Sequence, residues 1–192
     1  DAFHYGVELD AFWNLTDWMK FSAYASIGDW RWKNDVQAVI YDDYRDVEGG
    51  RINVYSDGLP VGDAPQTQVG AQLDFDIPYG FRLSADWQFN DRMYADFDPV
   101  TRVDASDRET SYRIPSCHLL SATLSWSKFF SSCADASGGC RGIGLTLFAT
   151  GTNLLDTVYI ERGKDGALHD LATFRGYWGF GRNVSFGLRF RF

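Results

Sequence analysis

The chain has 192 residues, of which 45% are hydrophobic and 17% aromatic, and its formal net charge at pH 7 is -8. This apolar content excludes a disordered chain. The acidic balance argues against a nucleic-acid partner, because phosphate binding needs a basic stripe that the sequence lacks. No segment of the sequence approaches the roughly 18 consecutive apolar residues of a membrane helix. The strands of a membrane barrel alternate apolar and polar residues, so this criterion does not apply to them.

Alternation of apolar and polar residues predicts a β-hairpin at the start of the chain. The segments 3–13 and 19–27 place apolar residues at every second position, and a turn at Asn14 to Asp17 joins them. This period of two is typical of strands with one apolar and one polar face. The pattern therefore predicts two strands that share a continuous apolar face.

The same alternation continues along the chain and predicts seven strands in all. The five further strands are predicted at 68–77, 81–90, about 118–126, 143–152 and 183–192. Pro78-Tyr79-Gly80 is a predicted tight turn. Most segments are near the roughly 9 to 11 residues that a tilted membrane strand needs. We therefore expect an all-β fold of about seven antiparallel transmembrane strands, with Val7, Leu73, Leu83 and Phe186 facing lipid.

The connections alternate strictly between short and long. Short connections are predicted at 14–17, 78–80 and 127–141, and long polar ones at about 29–66, 91–116 and 155–176. Outer-membrane barrels place short turns in the periplasm and long loops outside. Trp13, Trp18 and Trp126 near the short turns indicate an aromatic girdle. The alternative is a soluble β-sandwich with core aromatics, in which loops longer than about 15 residues are uncommon.

Seven strands do not close a bacterial barrel, which has an even number of strands from about 8 upward. Unpaired edges in lipid cost several kcal/mol for each backbone group. We therefore expect the first and last strands to pair with strands outside this sequence, and the chain not to fold alone.

Two segments resemble TonB-dependent outer-membrane receptors. Asn153-Leu154-Leu155-Asp156-Thr157-Val158-Tyr159 resembles the Asn-Leu-Phe-Asp-x-x-Tyr element near the end of that family, and 180–192 resembles its closing strand. The segments 26–36 and 61–70 are similar to loop and strand-start segments of the same family. Leu155 replaces the usual Phe, and Phe180 stands where Pro often precedes Gly-Arg. A plug domain and a TonB box are missing from the sequence.

The resemblance implies that residues 1–192 are the C-terminal third of a 22-stranded β-barrel in the outer membrane of a Gram-negative bacterium. It implies a non-enzymatic transporter that imports a scarce ligand, such as a siderophore, cofactor, glycan or peptide, with energy from TonB. Implied partners are the N-terminal plug and barrel part, TonB, the barrel-assembly machinery, outer-membrane lipid and a surface lipoprotein. The alternatives are a passive porin or other barrel, and a soluble carbohydrate-binding sandwich.

The resemblance also gives the last strand a role. In this family a terminal aromatic residue on an alternating strand is read by the barrel-assembly machinery. The implied signal consists of Phe186, Leu188, Phe190 and Phe192.

Ligand selection is predicted in the long loops. Trp30 and Trp32 offer indoles that stack on a sugar or an aromatic siderophore, and Arg31 offers a guanidinium for a carboxylate or phosphate. The alternative is that both Trp residues belong to the outer aromatic girdle. The acidic run from Tyr41 to Glu48 includes Asp42 and Asp43 and is a candidate ligand-binding surface. This run is interpreted either as a calcium site or as a solvated loop.

The cysteines and histidines give no sign of catalysis. Cys133 and Cys140 bracket a glycine-containing turn, and we predict a disulfide between them in the oxidising periplasm. Cys117 is then left over. A zinc site is disfavoured because close-spaced ligand pairs are absent from the sequence. The three histidines are scattered, so no enzyme, cofactor or metal is predicted.

Overall fold

The computed structural model describes residues 1–41, 48–132 and 141–192 of the chain. The described residues form 13 strands and two short 3-10 helices, Pro78–Gly80 and Pro99–Thr101. The strands are β1 Ala2–Thr16, β2 Met19–Trp32, β3 Val36–Tyr41, β4 Glu48–Val54, β5 Thr67–Ile77, β6 Phe81–Asp91, β7 Met93–Tyr94, β8 Arg113–Ile114, β9 Cys117–Ser132, β10 Arg141–Thr152, β11 Ile160–Lys164, β12 Arg175–Trp178 and β13 Asn183–Arg191. The predicted all-β class is confirmed.

The main sheet has seven antiparallel strands within the described part of the chain, in the order β1-β2-β5-β6-β9-β10-β13. Each strand pairs with its predecessor and successor among these seven, so the sheet is a meander. The predicted seven-strand antiparallel sheet is confirmed. The 22-stranded barrel stays a prediction, because β1 and β13 each have one neighbouring strand among the described residues.

Short and long connections lie at opposite ends of this sheet. The end of the sheet at which β1, β5 and β9 end is called the turn end, and the opposite end is called the loop end. At the loop end the described parts of the long connections contain three two-stranded sheets, β3-β4, β7-β8 and β11-β12. Among the described residues, no helix has the length and apolar character needed to cross a bilayer.

Three strands are longer than the sequence predicts. β2 continues to Trp32 because β1 begins at Ala2 and offers partners such as His4 for Trp30. β9 and β10 extend their pairing to Ser132 and Arg141. The predicted connection 127–141 is therefore partly strand, and the side chains at 30–32 belong to a strand end rather than to a loop.

The seven strands carry one apolar and one polar face. The apolar face consists of the alternating residues predicted from the sequence, and its exposed members include Val7, Leu9, Leu124, Leu147 and Phe186. Phe186 is 81% exposed and Val7 is 74% exposed. Nothing in the described part of the chain covers this face.

Aromatic side chains form a band on the apolar face at each end of the sheet. At the turn end, Trp13 stacks on Phe21 with ring centroids 5.7 Å apart, and Phe81 lies 6.4 Å from Trp126. At the loop end, His118 lies 5.8 Å from Trp87 and 4.7 Å from Phe89. Between these bands the face carries mainly alanine, leucine and valine, such as Ala85.

The buried core lies at the loop end rather than against the sheet. Val54, Leu59 and Phe97 are at most 8% exposed and form the apolar cluster found among the described residues. Trp32 packs against this cluster, and its ring meets Phe97 edge-on at 6.3 Å. The long connections therefore fold on one another and on the end of β2.

Candidate functional site

A cluster of buried charges holds two of the long connections together. The side chain of Arg102 is fully buried, and its Nη2 atom donates to Oδ2 of Asp165 at 2.8 Å. Its Nη1 atom donates to Oδ1 of Asp107 at 3.0 Å and to the carbonyl of Glu109 at 2.9 Å. Arg102 and Asp165 are 63 residues apart in the chain. Their ion pair therefore fixes the connection between β6 and β9 to that between β10 and β13.

His169 completes this cluster. Its Nδ1 atom lies 2.6 Å from Oδ2 of Asp165, and its Nε2 atom lies 3.1 Å from both carboxylate oxygens of Asp107. The second oxygen of Asp165 accepts from the backbone N–H of Tyr112 at 2.9 Å. We call Arg102, Asp107, Asp165 and His169 the charge cluster. Because the Arg102 guanidinium pairs with the carboxylates of both Asp107 and Asp165, the cluster joins side chains of the two connections.

Further contacts join the segment next to Asp165 to other long connections. The ammonium of Lys164 pairs with the carboxylate of Asp96, which raises the pKa of Lys164 through that hydrogen bond. The carboxylate of Asp63 accepts from the backbone N–H of Gly163 at 3.1 Å. Residues from three separate connections therefore meet around β11.

Another ion pair joins the β2–β3 turn to the connection between β6 and β9. The guanidinium of Arg108 donates to both oxygens of Asp35, each at 2.7 Å. This pairing lowers the pKa of Asp35 to about 2. Because the folded pKa lies below the ordinary value of 3.8, the pair contributes fully above that pH and is lost as the pH falls through about 2.

The predicted ligand residues at 30–32 lie close together, but their side chains differ in availability. The Arg31 guanidinium donates to Asp29 at 2.9 Å and to the carbonyl of Gly58 at 2.9 Å. Trp32 packs in the loop-end core. Trp30 lies 5.5 Å from the ring of His4. Both Trp residues share the polar-face positions of β2, so they do not lie on the apolar face as the girdle alternative requires. Their role in ligand binding stays a prediction.

Several other predicted residues are exposed or outside the described segments. Tyr41 ends β3 and is 58% exposed. Asp42, Asp43, Cys133 and Cys140 lie outside the described residues, so the acidic surface and the disulfide stay predictions. Cys117 is a buried free thiol.

Three residues of the implied assembly signal lie on the apolar side of β13, and the fourth, Phe192, follows the end of that strand. Phe186, Leu188 and Phe190 lie opposite Ala149, Leu147 and Leu145 of β10. Phe186 and Phe192 are largely exposed. The recognition of these side chains by an assembly machinery stays a prediction.

The motif from Asn153 to Tyr159 builds a turn after β10. Asn153 is 6% exposed and has a φ of 49°. Its amide donates to the carbonyls of Thr157 at 2.9 Å and Phe180 at 3.0 Å, and its carbonyl oxygen accepts from the Thr157 N–H at 2.9 Å. The Arg182 guanidinium donates to Asp156 at 3.0 Å and lowers the pKa of that carboxyl. The motif therefore connects the start of the last long connection to its end.

Replacing Asn153 by alanine is expected to destabilise the protein by about 2 kcal/mol. The change removes the partner of the Thr157 N–H and of the carbonyls of Thr157 and Phe180, and it places a Cβ-bearing residue without a polar side chain at positive φ. Asn153→Gly should be less harmful than Asn153→Ala because glycine tolerates this conformation. Thermal unfolding of the full-length protein measures both effects, with Val158→Ala as an exposed control in the same turn. Equal unfolding temperatures for Asn153→Ala and Val158→Ala would contradict this role.

No local pattern in the sequence indicates the charge cluster. Its residues lie in two connections of irregular sequence, and no second histidine lies near His169 in the chain. Within the described segments no group of His, Cys, Asp or Glu is arranged to hold a metal ion.

Comparisons of the chain with protein-family models, with curated proteins and with solved structures find no match. A functional proposal for this chain therefore rests on its residues and geometry.

Proposed function

We propose that this chain forms seven neighbouring strands of a 22-stranded outer-membrane β-barrel that imports a scarce ligand with energy from TonB. The observation that carries the proposal is the uncovered apolar face of the seven-stranded sheet. A soluble monomer rarely exposes a contiguous apolar patch larger than a few hundred Å², whereas lipid covers such a face in a membrane barrel.

Strand length and the aromatic bands support a membrane position for this face. The seven strands are between 9 and 16 residues long, and a tilted membrane strand needs about 9 to 11. Aromatic side chains stand at both ends of the apolar face, as they do at the two interfaces of a bilayer. The soluble-sandwich alternative needs a second sheet on this face, and the described residues supply none.

The polar face supports a lumen-facing position. Hydrogen bonds connect polar side chains across neighbouring strands, including Gln72 to Ser84 at 3.3 Å and Thr123 to Thr150 at 3.0 Å. A barrel interior is polar where it is filled by water or a plug. Among the described residues, β1 and β13 each have a neighbouring strand on one side, which fits a sheet that continues on both sides, since unpaired backbone groups are costly in lipid.

Spin labels on neighbouring residues of β5 test the membrane position. The labels are placed at Leu73→Cys and Gln72→Cys in the full-length protein, reconstituted in phospholipid vesicles, with the native cysteines replaced. We expect the label at 73 to be accessible to oxygen, which partitions into lipid, and the label at 72 to be less so. Equal oxygen accessibility at both positions would contradict a lipid-facing apolar face.

Energy coupling needs a separate test, because a passive porin would give the same spin-label result. We expect the purified full-length protein to form a complex with the periplasmic domain of TonB, detected by sedimentation. A protein that passes the spin-label test and forms no such complex would instead be a passive barrel.

A further inference from the structure

An open cavity of about 660 Å³ lies beside the β11-β12 hairpin at the loop end. The side chains that matter for its chemistry are Asp98, Lys164, Asp165, Phe174, Arg175 and Tyr177. Small-molecule sites in proteins commonly enclose about 300 to 1,000 Å³. The cavity therefore has the size of a site for a compound of a few rings.

Arg175 is the available cation of this cavity. Its side chain has no hydrogen bond, ion pair or ring contact with any residue that the structure describes, whereas the Lys164 ammonium pairs with Asp96. A guanidinium presents a rigid fork of donors that matches a carboxylate. Arg175 is therefore positioned to bind an acidic group of a ligand.

Two aromatic rings and a carboxylate line the same cavity as this cation. Tyr177 is 60% exposed, and the guanidinium of Arg162 lies 5.2 Å from the centre of its ring. Phe174 also lines the cavity and packs against Tyr112 at 4.7 Å. Asp98 also lines the cavity; one of its carboxylate oxygens accepts from the backbone N–H of Val100 at 3.1 Å, and its other oxygen is an acceptor for hydroxyl groups. The walls thus combine a cation, apolar rings and a hydroxyl acceptor.

The inner wall of the cavity is held rigidly. The Asp165 side chain is 1% exposed and is fixed by Arg102 and by the backbone N–H of Tyr112. A Cβ on Gly166 would lie 2.3 Å from the Thr173 carbonyl oxygen, so these two segments touch closely. Such preorganisation reduces the entropic cost of binding.

We propose that this cavity binds a small acidic carbohydrate that carries one carboxylate for each ring, such as a uronic acid. The carboxylate pairs with Arg175, the apolar face of the sugar lies on the ring of Tyr177, and sugar hydroxyls donate to Asp98. Beside Arg175, a carboxylate group with a single charge fits better than a doubly charged phosphate group because Asp98 and Asp165 also line the cavity. The inference rests on the proposed function, for which it names a class of ligand.

Calorimetry with digalacturonic acid tests the inference on the full-length protein in detergent. We expect binding of the acidic disaccharide and no binding of the neutral galactose disaccharide of the same linkage. Arg175→Gln should weaken binding by about tenfold or more, the effect of losing a charged hydrogen bond. Arg175→Lys keeps the positive charge but lacks the forked donors of the guanidinium. Its affinity should therefore lie between that of Arg175→Gln and that of the unchanged protein.

Arg113→Gln is the matched control, because it removes the same charge from an exposed loop-end pair with Asp91. Its affinity should equal that of the unchanged protein. The inference is overturned if digalacturonic acid does not bind, if the neutral disaccharide binds equally, or if Arg175→Gln binds as well as Arg113→Gln. A protein that passes the spin-label and TonB tests but fails here keeps the proposed function and loses only this ligand class.

Discussion

Replacing Arg102 by methionine is expected to destabilise the loop end by about 3 to 5 kcal/mol, the cost of breaking a buried ion pair by removing one partner. Arg102 is fully buried, and the Asp165 side chain beside it is 1% exposed. Methionine fills much of the space of the arginine stem but leaves the Asp165 carboxylate without its cation. The two connections that the charge cluster joins should then separate.

Hydrogen exchange of backbone amides measures this effect at the residues concerned. The amide of Tyr112 donates to Asp165, so its protection should fall strongly in Arg102→Met, while amides in the middle of β6 should keep theirs. Arg113→Met is the matched control, since the pair of Arg113 with Asp91 is largely exposed. Exposed pairs contribute only about 0 to 1 kcal/mol.

A double variant separates loss of charge compensation from loss of packing. Adding Asp165→Asn to Arg102→Met removes the uncompensated carboxylate, so the double variant should be more stable than Arg102→Met alone. If Asp165→Asn gave no recovery, the destabilisation would come from packing around Arg102, and the charge cluster would not be the device that holds the loops.

The main sheet could be predicted from the sequence because strand alternation is a local signal. Residues such as Leu73, Leu83 and Phe186 repeat with a period of two, and this period fixes both the strand and the face on which each side chain lies. The short turn at Pro78–Gly80 then identified an antiparallel neighbour. Each of these inferences needs only residues that are close together in the chain.

The loop end could not be predicted in this way. β2 extends to Trp32 because β1 supplies backbone partners there, and the local sequence contains no sign of that pairing. Arg102 meets Asp165 across 63 residues of irregular chain. Irregular connections carry no periodic pattern, so the contacts that bury Arg102 and open the cavity at Arg175 depend on tertiary packing.

The apolar face offers the second large effect, at the centre of the sheet. Leu83 lies on β6, the fourth of the seven strands in the described sheet, with Phe75 and Leu124 as its cross-strand neighbours. It stands between Phe81 of the turn-end aromatic band and Trp87 of the loop-end band. We expect Leu83→Arg to destabilise the full-length protein in phospholipid vesicles by about 2 to 4 kcal/mol, the cost of arginine near the bilayer midplane.

Ser84→Arg is the matched control one residue away. Ser84 lies on the polar face and accepts a hydrogen bond from Gln72, so arginine there meets polar surroundings. We expect Ser84→Arg to destabilise the protein by much less than Leu83→Arg does. Denaturant unfolding of the two variants in the same vesicles gives the comparison, and equal tolerance of arginine at 83 and 84 would contradict the assignment of the faces.

A third position distinguishes lipid from a covering protein, because an apolar protein interface would also reject arginine at Leu83. In a bilayer the cost of arginine falls to about 0 to 1 kcal/mol near the interface, where the long side chain reaches the headgroups. Phe81→Arg should therefore cost less than Leu83→Arg, although both residues lie on the apolar face. In a protein interface the cost of arginine would not depend on the distance of the residue from the aromatic bands. Equal costs at 81 and 83 would indicate a protein partner on this face, and the outer-membrane proposal would fail.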